Sequence, residues 1–447
     1  MRGAPPAYQT AIDYLYRFVE HTGHARWAGY ERAPQRTQAF LARLGHPEMA
    51  FPSLVVAGTK GKGSTAAMLE AALRACGLRV GLYTSPHLHS FRERIQVGRT
   101  PISQGEFVGF VDRLRPLVEA WLESHPVEDW PTTFELATVM AMAHFAGQGV
   151  QAAVLEVGRG GQFDAVNAVP HHLAAMATVG LDHTAILGHT VTAIAREKAG
   201  VIPLGGVFVC GAQPDEALAT LREVCLARRA RWLHAQDLDL EQVRFDGTGE
   251  TDRLAYPLDP RTVRLPLQGA FQGRNLRLAL GVLAALGDEG WLLPASAVRQ
   301  GLEAVRWPGR FEVVHQRPLA VVDGAHNPDS AAQLRATLDA TYPQRPVVWV
   351  VGASSGKDLL TVLRALQRPG DLLVATQTKH PRALPSAQVA SAAREAGFQR
   401  VMETEGIADA WRDASKAADA DALVCFSGSL FVVAEARELF GLAVEID

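Results

Sequence analysis

Residues 53–65, SLVVAGTKGKGST, constrain the fold more than any other stretch of this chain. A β-branched apolar run, Leu54 to Val56, breaks into a turn carrying Gly58, Gly61 and Gly63. Ser64 and Thr65 then open AAMLEAALRAC, whose alanines and leucines recur at helical spacing. A strand that feeds a glycine-rich turn at a helix N-terminus is a phosphate cradle. Backbone N–H groups approach the anion, the helix dipole favours negative charge, and a lysine adds a point charge. Lys62 is that lysine, and Lys60 is an unusual second one. The common P-loop spacing GxxxxGK[ST] would need glycine where Val56 stands and a hydroxyl where Gly63 stands, so the match is to the physics and not to the usual pattern.

Around this element, short apolar runs alternate with helical stretches: AAVLEV from 152, LAAMATVG from 173 and GVFVCG from 206. That rhythm predicts parallel strands joined by crossover helices in a doubly wound sheet, with ligands at the strands' carboxyl ends. A second rhythm, LAVVDGAHN, VVWVVGA, LLVATQT and ALVCFSGS, predicts four further strands in a smaller Rossmann-like α/β unit. Pro308 and Gly309 in WPGRF are expected to break the preceding helix. The division expected is 1–306 for the nucleotide-binding part, 307–311 for a linker and 312–447 for the second domain. The polar stretch 236–262 reads as a looped, β-rich excursion.

Composition narrows the class. With 447 residues, two or more cores are expected. Apolar residues make up 48% and charged ones 20%, and net charge is −3, which excludes disorder and leaves no basic footprint for nucleic acid. No apolar signal segment is visible at the start, so a cytoplasmic protein is expected. Residues 136–155 carry no formal charge, but His144, Gln148 and Gln151 favour a buried helix running into a strand over a membrane span. Cys76, Cys210, Cys225 and Cys425 are scattered, which implies reduced thiols and no zinc site.

Several strand ends carry polar residues. TSPHL (84–88) closes one predicted strand. LEVGRGGQFDAVN (155–167) sets Glu156 before a glycine turn, where a carboxylate suits a Mg²⁺ ion that takes its remaining ligands from phosphate. LDHTAILGHT (181–190) brings Asp182 and His183, and REKAG puts Lys198 on a helix, where the ordinary reading is a solvated lysine. VVDGAHNP (321–328) carries Asp323 and His326. No nucleophile elbow or HExxH motif occurs.

Taken in order, GTKGKGS, TSPHL, TTFE, LEVGRGGQFDA, LDHT, EKAGVI, QGRN, WPGR and DGAHNP resemble the folylpolyglutamate synthase/dihydrofolate synthase family, the folate branch of the Mur ligases. The resemblance implies an ATP-dependent amide ligase that adds L-glutamate to dihydropteroate, to reduced folates, or to both. It implies ATP phosphates on Gly58, Thr59, Lys60, Gly61, Lys62, Gly63 and Ser64, with Asn275, Arg310 and Asp323 as further ATP contacts. Mg²⁺ would sit on Ser85, Glu156 and His183, and a carbamylated Lys198 would serve a second Mg²⁺; K⁺ is left open. The pterin end would meet Gly29, Tyr30, Thr132, Thr133, Phe134, Glu135, Phe163, Asp164 and Ala165, with His326 and the SGS at Ser427 toward the incoming glutamate. A cytoplasmic monomer without nucleic-acid or membrane partners goes with this reading. The family's usual EVGLGGRLDATN departs here at Arg159, Gln162, Phe163 and Val166. Monofunctional polyglutamylation and a P-loop kinase or NTPase stay open as alternatives.

Overall fold

A computed structural model describes residues 6–19, 29–237, 244–245, 250–253, 262–419 and 422–443. Its first sheet contains β1 (Ser53–Ala57), β2 (Val80–Tyr83), β3 (Ile95–Val97), β4 (Thr100–Pro101), β5 (Ala152–Glu156), β6 (Leu173–Met176), β7 (Val207–Cys210) and β8 (Arg231–His234). The order is β4-β3-β2-β5-β1-β6-β7-β8. From β2 to β8 every pair is parallel, while β3 and β4 add an antiparallel edge.

The strand β1 is buried along its whole length because both faces of the sheet are covered. Val55 and Ala57 point into a core built with α1 (Pro6–Tyr16), α4 (Gln104–Ser124) and α5 (Thr133–Gly147). Leu54 and Val56 point the other way, onto α3 (Lys62–Ala75), α9 (Ala270–Asp288) and α10 (Ala295–Glu303). This alternation is the period-2 signature of a strand, and each such side chain contributes about 1.5–3 kcal/mol on burial. The charge-free run 136–155 is the core helix α5 followed by β5. Among the described residues no helix is long and apolar enough to cross a membrane.

Four more helices complete this half: α2 (Ala33–Arg43), α6 (Thr184–Leu187), α7 (Val191–Lys198) and α8 (Asp215–Ala227). Within the stretch 236–262, β9 (Arg244–Phe245) and β10 (Glu250–Arg253) join β11 (Thr262–Leu265) in an antiparallel sheet. Residues 238–243, 246–249 and 254–261 lie outside the described residues.

The second sheet has β12 (Glu312–Gln316), β13 (Leu319–Val322), β14 (Val347–Val351), β15 (Leu372–Ala375), β16 (Arg400–Glu403) and β17 (Leu423–Ser427), in the order β12-β13-β17-β14-β15-β16, parallel throughout except for the antiparallel β12–β13 edge. Helices α11 (Pro328–Thr341), α12 (Leu359–Leu366), α13 (Ser386–Glu395), α14 (Ile407–Ala417) and α15 (Leu430–Leu439) flank it. The four strands expected from sequence are β13, β14, β15 and β17. The edges β12 and β16 escape that reading because they are only half-covered and lack an apolar run. One expectation is corrected: α10 ends at Glu303, well before Pro308. Ala304 caps it by bonding back to Gln300, Gly301 and Leu302, and Val305 leaves the helix to fill the core under the first sheet.

Candidate active site

The strand order β2-β5-β1-β6 sets four chain turns side by side at one edge of the first sheet. The glycine-rich turn after β1 is tied to its neighbour after β6. The amides of Thr59 and Lys60 both donate to the Thr178 carbonyl, at 2.9 and 3.2 Å. The Thr59 hydroxyl and the Gly180 backbone meet at 3.1 Å. Gly61 stands just before α3 with φ of 88°, a left-handed value that favours glycine, and a Cβ there would overlap Asn275 Oδ1. Asn275 donates to Gln272 at 2.9 Å, and Gln272 donates to Ser64 Oγ at 3.4 Å, so the QGRN end of α9 packs directly on the turn. Lys62 begins α3, with its Nζ 3.5 Å from the Thr59 carbonyl. The N-terminus of α3 and Lys62 therefore stand together at this turn, the arrangement that suits an anion.

Glu156 ends β5 beside this turn. It is buried, and its Oε2 accepts from the Ser85 amide at 3.0 Å. Burial raises its pKa, opposed by Lys62, the Ser85 amide, Arg310 and Arg94. A Cβ on Gly63 would stand 2.8 Å from the Trp307 ring and 3.4 Å from Glu156 Oε1. Trp307, of the WPGR segment, thus lies over the turn, and sequence reasoning assigned it no role. His183 adopts a left-handed φ of 50° and leaves 49% of its side chain exposed. Its neighbour Asp182 holds Lys60 at 3.5 Å.

Among the described residues no group of three or more His, Cys, Asp and Glu gathers to hold a metal. One buried carboxylate with a hydroxyl and an imidazole is a donor set that fits a hard divalent cation whose other ligands are phosphate oxygens and water. Lys198 contradicts the solvated reading. It is buried at the end of α7, and its amine donates to the Gly58 carbonyl at 3.0 Å. Burial, with Lys62 nearby, lowers its pKa to about 7.

The wall next to β5 and α7 gathers the acceptor candidates. Tyr30 donates to Glu197 Oε1 and to the Arg159 carbonyl, both at 3.3 Å, and meets Phe163 edge-on at 5.9 Å. Asp164 accepts from the Arg159 and Val166 amides, each at 2.9 Å, and burial pushes its pKa up to about 7. Phe134 packs under Gly158. Other candidates are engaged inside the fold. Thr133 donates to the Leu15 carbonyl at 2.7 Å, Thr132 caps α5, and Ala165 is buried. Both Glu135 oxygens are taken by Arg36, which also donates to the Gly29 carbonyl at 2.7 Å. Arg36 and Glu197 belong to this wall without having been singled out by sequence.

The second sheet presents its own strand ends. Asp323 accepts from the Phe311 and Ala325 amides, both at 2.9 Å, and burial raises its pKa against Arg310. Arg310 lies over Gly324, where a Cβ would overlap its guanidinium. His326 is fixed by the Gly324 carbonyl at 2.8 Å, and Ser427 donates to the Ala325 carbonyl at 3.3 Å. Lys357, in the GASSGKD turn after β14, was missed; its charge is felt at both His326 and Asp182. The signal for it was a second glycine turn between a strand and a helix. A separate cavity of about 610 Å³ lies between Thr84–Ser103 and the WPGR–α15 side, lined by Pro86, Leu88, Arg92, Trp307, Arg310 and Arg437 among others. None of Gly58–Ser64, Glu156 or Asp164 lines it, while Trp307 and Arg310 do.

Comparison with known proteins places these features. Residues 56–283 match the Mur ligase middle domain and residues 309–430 the Mur ligase glutamate ligase domain. A probable bifunctional folylpolyglutamate synthase/dihydropteroate synthase of Haloferax volcanii is 38% identical over 98% of this chain, which spans only 51% of that relative's length. The dihydrofolate synthase/folylpolyglutamate synthase of Mycobacterium tuberculosis is 34% identical, covering 95% of this chain and 93% of the relative. The crystal structure of M. tuberculosis folylpolyglutamate synthase complexed with ADP and AMPPCP superposes with a TM-score of 0.86 at 32% identity, covering 97% of this chain and 98% of the other. The chain belongs to the folate branch of the Mur ligases, the folylpolyglutamate synthase/dihydrofolate synthase family.

Proposed function

We propose that this chain is an ATP-dependent amide ligase that joins L-glutamate to dihydropteroate, to reduced folate (poly)glutamates, or to both, through an acyl phosphate. The observation that carries this reading is the convergence of the Gly58–Ser64 turn, buried Glu156 on the Ser85 amide, and Arg310 from the second domain. A carboxylate is a poor acyl donor, so it is first phosphorylated. The turn amides and Lys62 hold the transferred phosphoryl group and offset its developing charge. Asn275 orients the nucleotide from α9, while Arg310 and Asp323 meet it from the second domain. The Tyr30–Phe163–Asp164 wall receives the pterin end, and the His326–Ser427 edge receives glutamate, whose amine attacks the acyl phosphate.

Ser85, Glu156 and His183 would hold Mg²⁺, which supplies charge neutralisation on the phosphates. With its pKa lowered to about 7, the Lys198 amine is about half neutral at pH 7, and the neutral amine is the form that adds CO₂, which supports a carbamate at this position. Residues 307–311 act as the joint between 1–306 and 312–447, so domain closure brings Arg310 over the cradle and excludes water from the acyl phosphate. The enzyme works as a cytoplasmic monomer on small molecules.

Labelled glutamate, ATP and Mg²⁺ with dihydropteroate in one reaction and tetrahydrofolate monoglutamate in another test this reading. Labelled amide product in either is expected; ATP hydrolysis without amide product in both would overturn it in favour of a kinase or NTPase.

A further inference from the structure

A strained residue stands outside the chemistry described so far. β3 and β4 are joined by a two-residue turn, Gly98–Arg99, with Val97 paired to Thr100 across it. Both central residues have positive φ, 56° and 70°, as a type I′ turn requires. Such turns favour asparagine, aspartate or glycine, and a long side chain seldom holds this conformation. Arg99 does hold it, and strain kept at one residue directs attention to what its side chain touches.

That side chain reaches the segment joining the two domains. Its Nη2 donates to the carbonyl of Arg306, 207 positions away in the chain, at 2.8 Å. Its guanidinium carbon lies 5.5 Å from the centre of the Trp307 ring, a cation over an aromatic face. Its charge is also felt at buried Glu70 of α3, whose Oε1 accepts from Arg74 at 2.7 Å. Trp307 in turn fills the space beside Gly63, where a Cβ would stand 2.8 Å from its ring. Position 63 is where the common P-loop spacing carries a hydroxyl, and glycine there leaves room for the indole. Three residues on, Arg310 lies over Gly324, and its charge is felt at Glu156 and Asp323. The hairpin tip, the joint and the phosphate turn are thus in one line of contact.

Resting on the ligase reading, we propose that Arg99 is a positioning residue. By gripping the Arg306 carbonyl and the Trp307 face, it seats Trp307 against Gly63 and thereby fixes where Arg310 meets the transferred phosphoryl group. Arg99 acts through Trp307 and binds no reactant itself.

Arg99→Asn, Trp307→Leu and the two together test this, with Arg99→Lys as the conservative change. Asparagine accepts a left-handed φ, so the turn keeps its shape while the grip is lost. Ligation rates at saturating ATP, glutamate and acceptor are referred to the ATP sites counted by calorimetric titration, so an unfolded fraction does not imitate the effect. Arg99→Asn should lower kcat by about 10- to 100-fold, the cost of misplacing a group by about 1 Å, and leave the ATP dissociation constant within about threefold of wild type. Arg99→Lys still has a donor for the carbonyl and should recover part of the loss. In the Trp307→Leu background, Arg99→Asn should change kcat by less than about threefold, because the residue it acts through is gone. Wild-type kcat in Arg99→Asn would overturn the proposal. So would an undiminished loss in the Trp307→Leu background, or a loss confined to ATP affinity. ATP turnover without amide product in the wild type would overturn the ligase reading instead, and the same variants would then judge Arg99 by phosphate release.

Discussion

Arg36 is the residue whose removal should most cleanly separate the acceptor wall from the nucleotide cradle. It is 4% exposed, donates Nε and Nη2 to the two oxygens of Glu135 at 2.8 and 2.7 Å, and gives Nη1 to the Gly29 carbonyl. Arg36→Met keeps much of the apolar stem but leaves a carboxylate that is 1% exposed without its guanidinium. Breaking a buried pair from one side costs about 3–5 kcal/mol. The chain escapes part of that by taking up a proton. Neutralising a carboxyl group of reference pKa about 4.3 costs about 3.7 kcal/mol at pH 7 and about 1 kcal/mol at pH 5.

The sign follows from proton counting. In the variant the folded state binds a proton that the unfolded state has released above pH 4.3, so the variant loses stability relative to wild type as pH rises from there toward 7. Calorimetric melting of both proteins at pH 5 and pH 7 should show a large gap at pH 7 that mostly closes at pH 5. Adding Glu135→Gln should remove the pH dependence. With Gly29 untethered, the acceptor KM should rise while the KM for ATP holds. Equal destabilisation at the two pH values, or a loss below about 1 kcal/mol at pH 7, would refute the reasoning.

Gly61→Ala forces a left-handed backbone, at about 1–2 kcal/mol, and displaces Asn275, so calorimetric titration should show ATP bound about 10- to 100-fold more weakly. Adding Asn275→Ala should relieve the overlap but not the backbone strain; an unchanged ATP affinity in Gly61→Ala would argue against a tightly shaped cradle. Glu156→Ala should lower Mg²⁺-supported turnover by about 10²- to 10³-fold, and near-normal turnover would remove the metal assignment. Lys198 has its pKa lowered to about 7, so between pH 7 and 10.5 the unfolded chain binds the extra proton and native stability rises with pH. In CO₂-free buffer, Lys198→Met should therefore melt a few degrees above wild type at pH 7, converging with it by pH 10. A gap that widened with pH would reverse the argument.

The cradle and the central strands were legible because their signals are local. A β-branched run, glycines and an alanine-rich helix occupy neighbouring positions, and β1 is covered on both faces, so its residues are apolar throughout. The edge strands β12 and β16 were not legible, since half-covered strands carry no apolar run. The ordinary reading of Lys198 as a solvated lysine fails for a related reason. In a helix of eight residues, Val191–Lys198, periodicity cannot assign the last position to a face. What buries Lys198 is Gly58, 140 residues away, and the close approach of Gly161 to its backbone. Arg36 and Glu135 are 99 residues apart, and nothing in either local sequence announces the pair.

The residues gathered at the cradle explain why the site needs two sheets. Lys60, Lys62 and Lys198 crowd one side, with Arg310 and Lys357 arriving from the other domain. Without nucleotide, such cations repel one another, and the protein answers with local compensation. Asp182 takes Lys60, the Gly58 carbonyl takes Lys198, and burial pushes the latter toward neutrality. A polyphosphate at this turn would remove that repulsion and attract the cations of the second sheet as well. The aromatic wall carries a different balance, with Asp164 and Glu197 pushed toward their neutral forms by burial and Arg159 as its cation.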